Sequence, residues 1–385
     1  MAAQRTYDAI VIGAGVFGSW TAYFLRKSGA SVLLVDAYGP ANARASSGGE
    51  SRIIRMGYGA DEVYTRWSMN ALPLWKELFA AADRPELFQP TGVLWIASEG
   101  EKYPQDTVAT LQKVGVRFEK LSLAQLRERY PQIYVEDDCW GIFEPESGVL
   151  MARRAVQCVV EQAEKLGVEY RNEAVRAPSG SRRLAEIVTT SGETFSASTF
   201  VFACGPWLPK VFPELLGERI FPSRQEVFFF GVPPGDLRFA APAMPTWLKL
   251  KDEFYGMPDI ENRGFKVAFD RHGPKADPDT QSRVASSEAL AVAKEYLVRR
   301  FPAMRDAPVL ETRVCQYENT SSGDFLIDKH SELDNVWLVG GGSGHGFKHG
   351  PSLGQYVAAR VTQRGPVEPR FSLATKQKVQ HRAVF

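Results

Sequence analysis

The stretch from Asp8 to Asp36 constrains this chain more than any other. Asp8 to Ile12 (DAIVI) is a short apolar run flanked by polar residues and glycine, the pattern of a buried parallel strand. It enters Gly13-Ala-Gly15-Val16-Phe-Gly18, then a helical stretch over Ser19–Lys27 that stops at Gly29; a second apolar run from Ser31 to Val35 ends on Asp36. A GxGxxG motif alone says little. Between a strand and a helix, with an acid closing the next strand, it specifies a dinucleotide-binding βαβ unit. Gly13 permits the tight turn, Gly15 lets the backbone approach a pyrophosphate, and Gly18 lets helix pack on strand. The helix N-terminus offers N–H groups and partial positive charge to the phosphates, and Asp36 can accept hydrogen bonds from a ribose diol.

The chain has 385 residues, well beyond the ~150 that serve as a soft prior for one domain, so two domains are expected. Lys+Arg 46 against Asp+Glu 45 gives a formal charge of +1, without the basic excess of a nucleic-acid binder. Small-molecule chemistry is favoured instead. No apolar run approaches the ~20 residues that span a bilayer, and after Arg5 the chain enters its first apolar run with no cleavable signal segment. A cytoplasmic protein without nucleic-acid or membrane partners is expected. Cys139, Cys158, Cys204 and Cys315 form no CxxC pair, which argues for reduced thiols and against a structural zinc site. All five histidines fall after residue 271. His345 and His349 have a suggestive spacing, but they sit in a glycine-rich stretch without the glutamate of an HExxH helix, so no metal is expected.

Further along, Ser122-Leu-Ala-Gln125 predicts a capping box opening a short helix to Tyr130, and Met151 to Leu166 carries a helical apolar stripe. Thr199 to Ala203 reads as a buried strand ending at Cys204-Gly205-Pro206-Trp207, a turn suited to a second cofactor contact. Ser287 to Phe301 is a predicted helix. Val336 to Val339 is a strand followed by six glycines in the eleven residues from Gly340 to Gly350, and then by a helical run from about Ser352 to Val361. Such a loop cannot be a helix interior or a packed strand; it predicts a second strand-to-helix turn aimed at the cofactor. From Pro366 the chain is basic and irregular, a solvated tail or a covering arm.

A nucleotide-binding unit at one end and a glycine-rich turn at the other argue for FAD more than NAD, a long cofactor held by both ends of the chain. Over nearly its whole length the sequence resembles the flavin-dependent amine oxidases of the monomeric sarcosine oxidase type, which include N-methyltryptophan oxidase and pipecolate oxidase, within the D-amino acid oxidase-like superfamily. The resemblance rests on Gly13-Ala-Gly15-Val16-Phe-Gly18 with Asp36, Ser51-Arg52-Ile53-Ile54-Arg55, Tyr255 and Lys266 in YGMPDIENRGFK, Cys315 in RVCQY, and Gly344-His345-Gly346-Phe347-Lys348. It implies an α/β fold: a Rossmann-like FAD-binding domain from residues 1-85, 145-220 and 318-370, a mainly antiparallel β-sheet substrate domain from 86-144 and 221-317, and a C-terminal tail, 371-385. It also implies a monomeric oxidase of the C–N bond of secondary amino acids, which passes a hydride equivalent to the flavin and then electrons to O2, giving hydrogen peroxide. The alternatives are an FAD dehydrogenase of amino or hydroxy acids with another acceptor, a glycated-amino-acid oxidase, and a catalytically silent flavoprotein subunit.

Residue by residue, the resemblance implies that Arg55 and Lys348 hold the substrate carboxylate, Arg suited to bidentate pairing and Lys to a point charge. Arg52 lies against the flavin ring, Lys266 serves the reaction with oxygen, and Tyr255 lines the substrate pocket. Cys315 carries the flavin through a thioether. Ser47, Gly344, Gly346, Phe347 and Lys348 complete the cofactor contacts. Two departures stand out: Gly48 occupies the place of a family histidine beside the flavin, and Asp270 stands where sarcosine oxidase has a histidine. A carboxylate there, four residues beyond Lys266, disfavours sarcosine and favours a hydroxylated or basic group on the substrate. Otherwise Asp270 pairs with Arg263 or Arg271 outside the pocket.

Overall fold

The computed structural model describes residues 6–381; Arg5 and residues 382–385 of the expected tail lie outside the described residues. The βαβ unit forms as the sequence predicts. Strands β1 (Thr6–Ile12) and β2 (Val32–Asp36) pair in parallel, with helix α1 (Val16–Lys27) between them. The helix begins inside the glycine motif, at Val16, because an extended Gly15 turns the chain directly into it.

These elements belong to a seven-stranded sheet, in the order Leu326–Lys329, Val336–Gly340, Thr194–Phe202, β1, β2 and Glu169–Asn172, with Glu186–Val188 paired to Thr194–Phe202. From Val336–Gly340 to Glu169–Asn172 all neighbours are parallel, and the other two pairings are antiparallel. Parallel strands are covered on both faces, which explains the unbroken apolar runs: Ile10, Val11, Leu33, Leu34, Val201 and Leu338 are all buried. Because β1, Thr194–Phe202 and Val336–Gly340 are neighbours and point the same way, the three turns that follow them emerge side by side. Sequence segments hundreds of residues apart meet there for that reason alone.

The helix Gly350–Val361 lies against α1. A Cβ on Gly354 would stand 2.7 Å from the backbone carbonyl of Trp20, so only glycine permits this approach. Trp20 is buried and meets Trp75 edge to face at 5.0 Å.

A second sheet has eight strands, in the order Val309–Asn319, Phe221–Phe230, Phe265–Phe269, Phe254–Met257, Thr246–Lys249, Val93–Ser98, Cys139–Glu144 and Glu119–Leu121. All its pairings are antiparallel except that of Thr246–Lys249 with Val93–Ser98. The predicted helix Ser287–Arg300 covers one face, where Tyr296 stacks on Phe254 at 3.7 Å between ring centres. A small antiparallel sheet of β3 (Arg52–Ile54), Gly148–Leu150 and Phe88–Gln89 carries the arginine segment.

The predicted capping box is present, with Ser122 Oγ accepting from Gln125 N at 3.3 Å and Gln125 Oε1 accepting from Ser122 N at 2.8 Å. Of the two readings for the last residues, the covering arm is the one observed: Phe371 and Lys376 are fully buried, and Arg370 pairs with Asp61 at 2.6 Å. No helix among the described residues is long and apolar enough to cross a membrane.

Candidate active site

Outside the carboxyl ends of the parallel strands, where α/β sheets place their ligands, lies a cavity of about 320 Å³. Its wall runs from Asp36 at the end of β2, past Gly13, Gly15 and Val16 and the Cys204–Trp207 turn, to Ser47, Arg52, Gly344, Gly346 and Phe347. Gly13 has φ +107°, and a Cβ there would lie 2.4 Å from the carbonyl of Ala203; a Cβ on Gly18 would lie 1.8 Å from the carbonyl of Gly13. The motif is therefore packed to a tightness that only glycine permits. Gly15 has no side chain to cap α1, whose first turn faces the cavity, and Val16 N donates to Ser47 Oγ at 3.0 Å. Asp36 receives Ala14 N at 2.7 Å and Tyr38 N at 2.8 Å. Burial raises its pKa against the pull of these N–H groups. A backbone cradle, an open helix N-terminus and a placed carboxylate in one elongated cavity fit a dinucleotide.

Not every expected contact faces this space. Gly18 supports the turn from behind. The loop Gly342–Gly346 and the 3-10 turn Phe347–His349 supply the second glycine wall, whereas the first residues of the helix proper pack on Val16 and Trp20. Cys315 stands just behind the wall, its sulfur 3.2 Å from Arg52 Nη2, while Arg52 also donates to the carbonyls of Ser46 and Ser51 at 2.7 and 2.8 Å. Gly48 cannot be replaced by the expected histidine without moving the chain, because a Cβ there would meet the carbonyl oxygen of Asn42 at 1.9 Å.

A second, smaller cavity of about 60 Å³ adjoins the first and shares Arg52, Tyr317, Gly344 and Phe347 with it. Arg55, Lys348, Tyr255, Asp270, Leu248 and Leu250 complete most of its lining. Arg55 and Lys348 are only 4% and 5% exposed, and the Arg55 guanidinium lies between the rings of Tyr58 (4.6 Å) and Trp95 (4.7 Å). Two buried cations on one wall are costly unless an anion is to be met there. In the same lining, Asp270 accepts from Tyr317 Oη at 3.4 Å. It lines the cavity; Arg263 pairs with Glu311 at 2.6 Å, and Arg271 lies over Phe269. Burial pushes the Tyr255 hydroxyl up to about 12 and that of Tyr317 well above the usual range, so both remain protonated donors.

Lys266 is buried, and its Nζ donates to Ser51 O at 3.1 Å and Ser51 Oγ at 3.3 Å. It lines neither cavity. Burial, reinforced by the charge of Arg52, pushes its pKa well below the ordinary lysine value.

Several lining residues gave no sequence signal. Glu173–Arg176 flank the Asp36 end on a polar loop with neither glycine nor periodicity. Glu318 faces the glycine loop, accepting from Gly342 N at 3.2 Å, and burial pushes its carboxyl up to about 7. Tyr317 was legible only as the neighbour of Cys315.

A family model described as FAD dependent oxidoreductase matches residues 8–360. The chain is 31% identical to the monomeric sarcosine oxidase of Bacillus sp. (strain NS-129), covering 92% of this chain and 93% of that one. It is 30% identical to the N-methyl-L-tryptophan oxidase of Yersinia pestis (strain Pestoides F), covering 94% and 96%. Among solved structures, a modified fructosyl peptide oxidase from Aspergillus nidulans superposes with a TM-score of 0.83 at 20% identity, covering 95% of this chain and 93% of that one.

Proposed function

The chain belongs to the FAD dependent oxidoreductase family, and from that premise we propose that it oxidises the C–N bond of secondary amino acids, N-alkyl or cyclic, with O2 as the final acceptor. The observation that carries the reading is the wall of two buried cations, Arg55 and Lys348, in a small cavity that opens on the arginine end of the larger one. FAD supplies an acceptor for a hydride equivalent. Gly13, Gly15, Val16, Asp36, Ser47, Arg52, Gly344, Gly346 and Phe347 are the residues that would hold it.

On the substrate side, Arg55 and Lys348 clamp the carboxylate and fix the reacting carbon, which converts binding energy into orientation. Asp270 receives a hydroxylated or basic group at the opposite end, and Tyr255 and Tyr317 donate hydrogen bonds from phenols that stay protonated. The enclosed apolar sides, Leu248 and Leu250, exclude water. Lys266, depressed by burial and by Arg52, is poised to take up a proton when negative charge develops nearby, and this suits it to the oxidative half of the cycle. A thioether from Cys315 is supported by the sulfur's place against Arg52 and Ser46; denatured protein should keep its flavin, and its mass should exceed that of the chain by one FAD.

The domain division follows the same reading. All strands of the seven-stranded sheet fall within 1-85, 145-220 and 318-370, and those of the eight-stranded sheet fall within 86-144 and 221-317, except that Val309–Asn319 runs two residues past the boundary. The site is complete within one chain, which supports a monomer, and the four cysteines are free thiols, which supports the cytoplasm.

A peroxide-coupled screen of N-methyl, cyclic and glycated amino acids against their decarboxylated amines tests the reading. Peroxide should form only from compounds that keep the carboxylate. Equal rates with the decarboxylated amines would remove Arg55 and Lys348 from substrate binding.

A further inference from the structure

We propose that Tyr58 is the positioning residue of the carboxylate site: its hydroxyl sets the Lys348 ammonium and its ring sets the Arg55 guanidinium, so both cations are fixed before substrate arrives. This rests on the reading of Arg55 and Lys348 as the carboxylate clamp.

Three polar groups converge on the Tyr58 hydroxyl: Lys348 Nζ at 2.7 Å, His349 Nε2 at 2.8 Å and His345 Nδ1 at 3.3 Å. Their roles follow from one fixed point. His345 Nε2 lies 3.0 Å from the carbonyl of Gly323, which can only accept, so the His345 proton is on Nε2 and its Nδ1 is a bare acceptor. The Tyr58 proton points at that acceptor. The two lone pairs of the phenol then receive N–H from Lys348 and from His349 Nε2. Only His349 Nδ1 is left without a partner, as a bare lone pair, which is less costly to bury than an orphaned N–H. The opposite assignment would bury that orphaned N–H and bring two lone pairs together between Tyr58 and His345.

The arrangement explains a spacing that no metal accounts for. His345 and His349 flank Lys348 in sequence, and both rings turn onto the tyrosine that holds it. His349 stays uncharged, because burial first and then the charges of Lys348 and Arg55 push its pKa well below the usual histidine value. It can thus anchor the phenol without adding a third positive charge. Glu144, a buried carboxylate, is engaged by Met56 N, Trp95 Nε1 and Ser147 Oγ at 2.6, 2.8 and 2.7 Å, which fixes the backbone between Arg55 and Tyr58. The Tyr58 oxygen and the faces of Tyr58 and Trp95 then supply the partial negative charge that two desolvated cations require. A site held in this way needs no rearrangement to accept a carboxylate.

Acetate is the probe, titrated into flavin-loaded protein and followed by the visible flavin spectrum, with acetamide as the uncharged match. Tyr58→Phe keeps the ring over Arg55 and removes only the hydroxyl. It should weaken acetate roughly tenfold or more, the scale of a lost charge-assisted hydrogen bond, and leave acetamide unchanged. Lys348→Met should weaken acetate at least as much, and the double variant should lose little beyond Lys348→Met, because the two residues act through one contact. His349→Phe, which removes a donor from the far side of the phenol, should lose less in the same direction, and it carries the test if Tyr58→Phe does not retain flavin. If Lys348→Met loses acetate while Tyr58→Phe and His349→Phe do not, or if the losses add, the positioning role is wrong and the clamp stands. If Lys348→Met leaves acetate binding intact, the clamp itself fails and the inference falls with it.

Discussion

The two adjoining cavities are built by different means. The larger is organised by backbone: three turns at the ends of neighbouring parallel strands, closed to a tightness that excludes side chains at Gly13 and Gly18. The smaller is walled by side chains from six separate segments, around Arg55, Leu248, Tyr255, Asp270, Tyr317 and Lys348, with two of its cations buried. A backbone site is a property of the chain's path and tolerates no side chain at Gly13 or Gly18. A side-chain site can be retuned one residue at a time without disturbing the path. The binding of the cofactor and the choice of substrate are therefore separable in this molecule.

The severest way to break that contrast is Gly13→Val, which forces a β-branched residue to φ +107° against the carbonyl of Ala203. The purified variant should carry no flavin by its flavin-to-protein absorbance ratio; a variant that keeps its flavin would mean the cradle is not built as described.

Lys266 belongs to neither wall, and Lys266→Met asks whether it nonetheless acts on the chemistry. Reoxidation of reduced protein by O2, followed by stopped flow, should slow by roughly 10²-fold, with reduction by substrate less affected. The same variant should melt higher near neutral pH. The native Lys266 pKa lies below the ordinary lysine value of 10.5, so the unfolded chain binds the proton more tightly, and native stability falls as pH drops from the ordinary value toward the depressed one. Methionine removes that loss.

Asp270→Asn retunes the side-chain site alone. The ratio of kcat/KM for a fructosyl amino acid to that for sarcosine should fall by about tenfold as the charge is lost, with the flavin spectrum unchanged. An unchanged ranking among sarcosine, pipecolate and the fructosyl compound would take Asp270 out of substrate choice.

The smallest effect sharpens the comparison from the other side, because Glu318 is a side-chain charge set in the backbone-built cavity. Its carboxyl is pushed from 4.5 up to about 7 by burial, so the folded protein binds this proton more tightly than the unfolded chain does. The stability it contributes is complete below the unfolded value and is lost as pH rises through about 7. In flavin-free protein, Glu318→Gln should flatten the fall in Tm between about pH 5 and about pH 8 by a few degrees; parallel curves for the two proteins would place Glu318 outside the group that titrates.

The same contrast decides what could be read from the sequence. Gly13, Gly15, Gly18 and Asp36 were legible because a backbone site leaves a contiguous signature, a strand, a spacing of glycines and a helix, within one short segment. The second glycine loop was legible for the same reason, and so were the long helices with their apolar stripes. Arg55, Lys348 and Asp270 carried no local pattern and were reached only through resemblance, since what unites them is a fold that the sequence does not spell out locally. Tyr58 was not reached at all: one tyrosine among 13, it is defined by partners nearly 290 positions away. The spacing of His345 and His349 is visible in the sequence, but a spacing does not reveal what lies between the rings.

The fit of Gly354 against Trp20 also has a bearing on how the molecule comes into being. During synthesis α1 is made long before the helix Gly350–Val361 that packs on it. Closing so long a loop costs chain entropy before any contact compensates. Until that helix is made, Trp20 has only earlier neighbours such as Trp75 to pack on, and the third turn of the cavity wall is still missing.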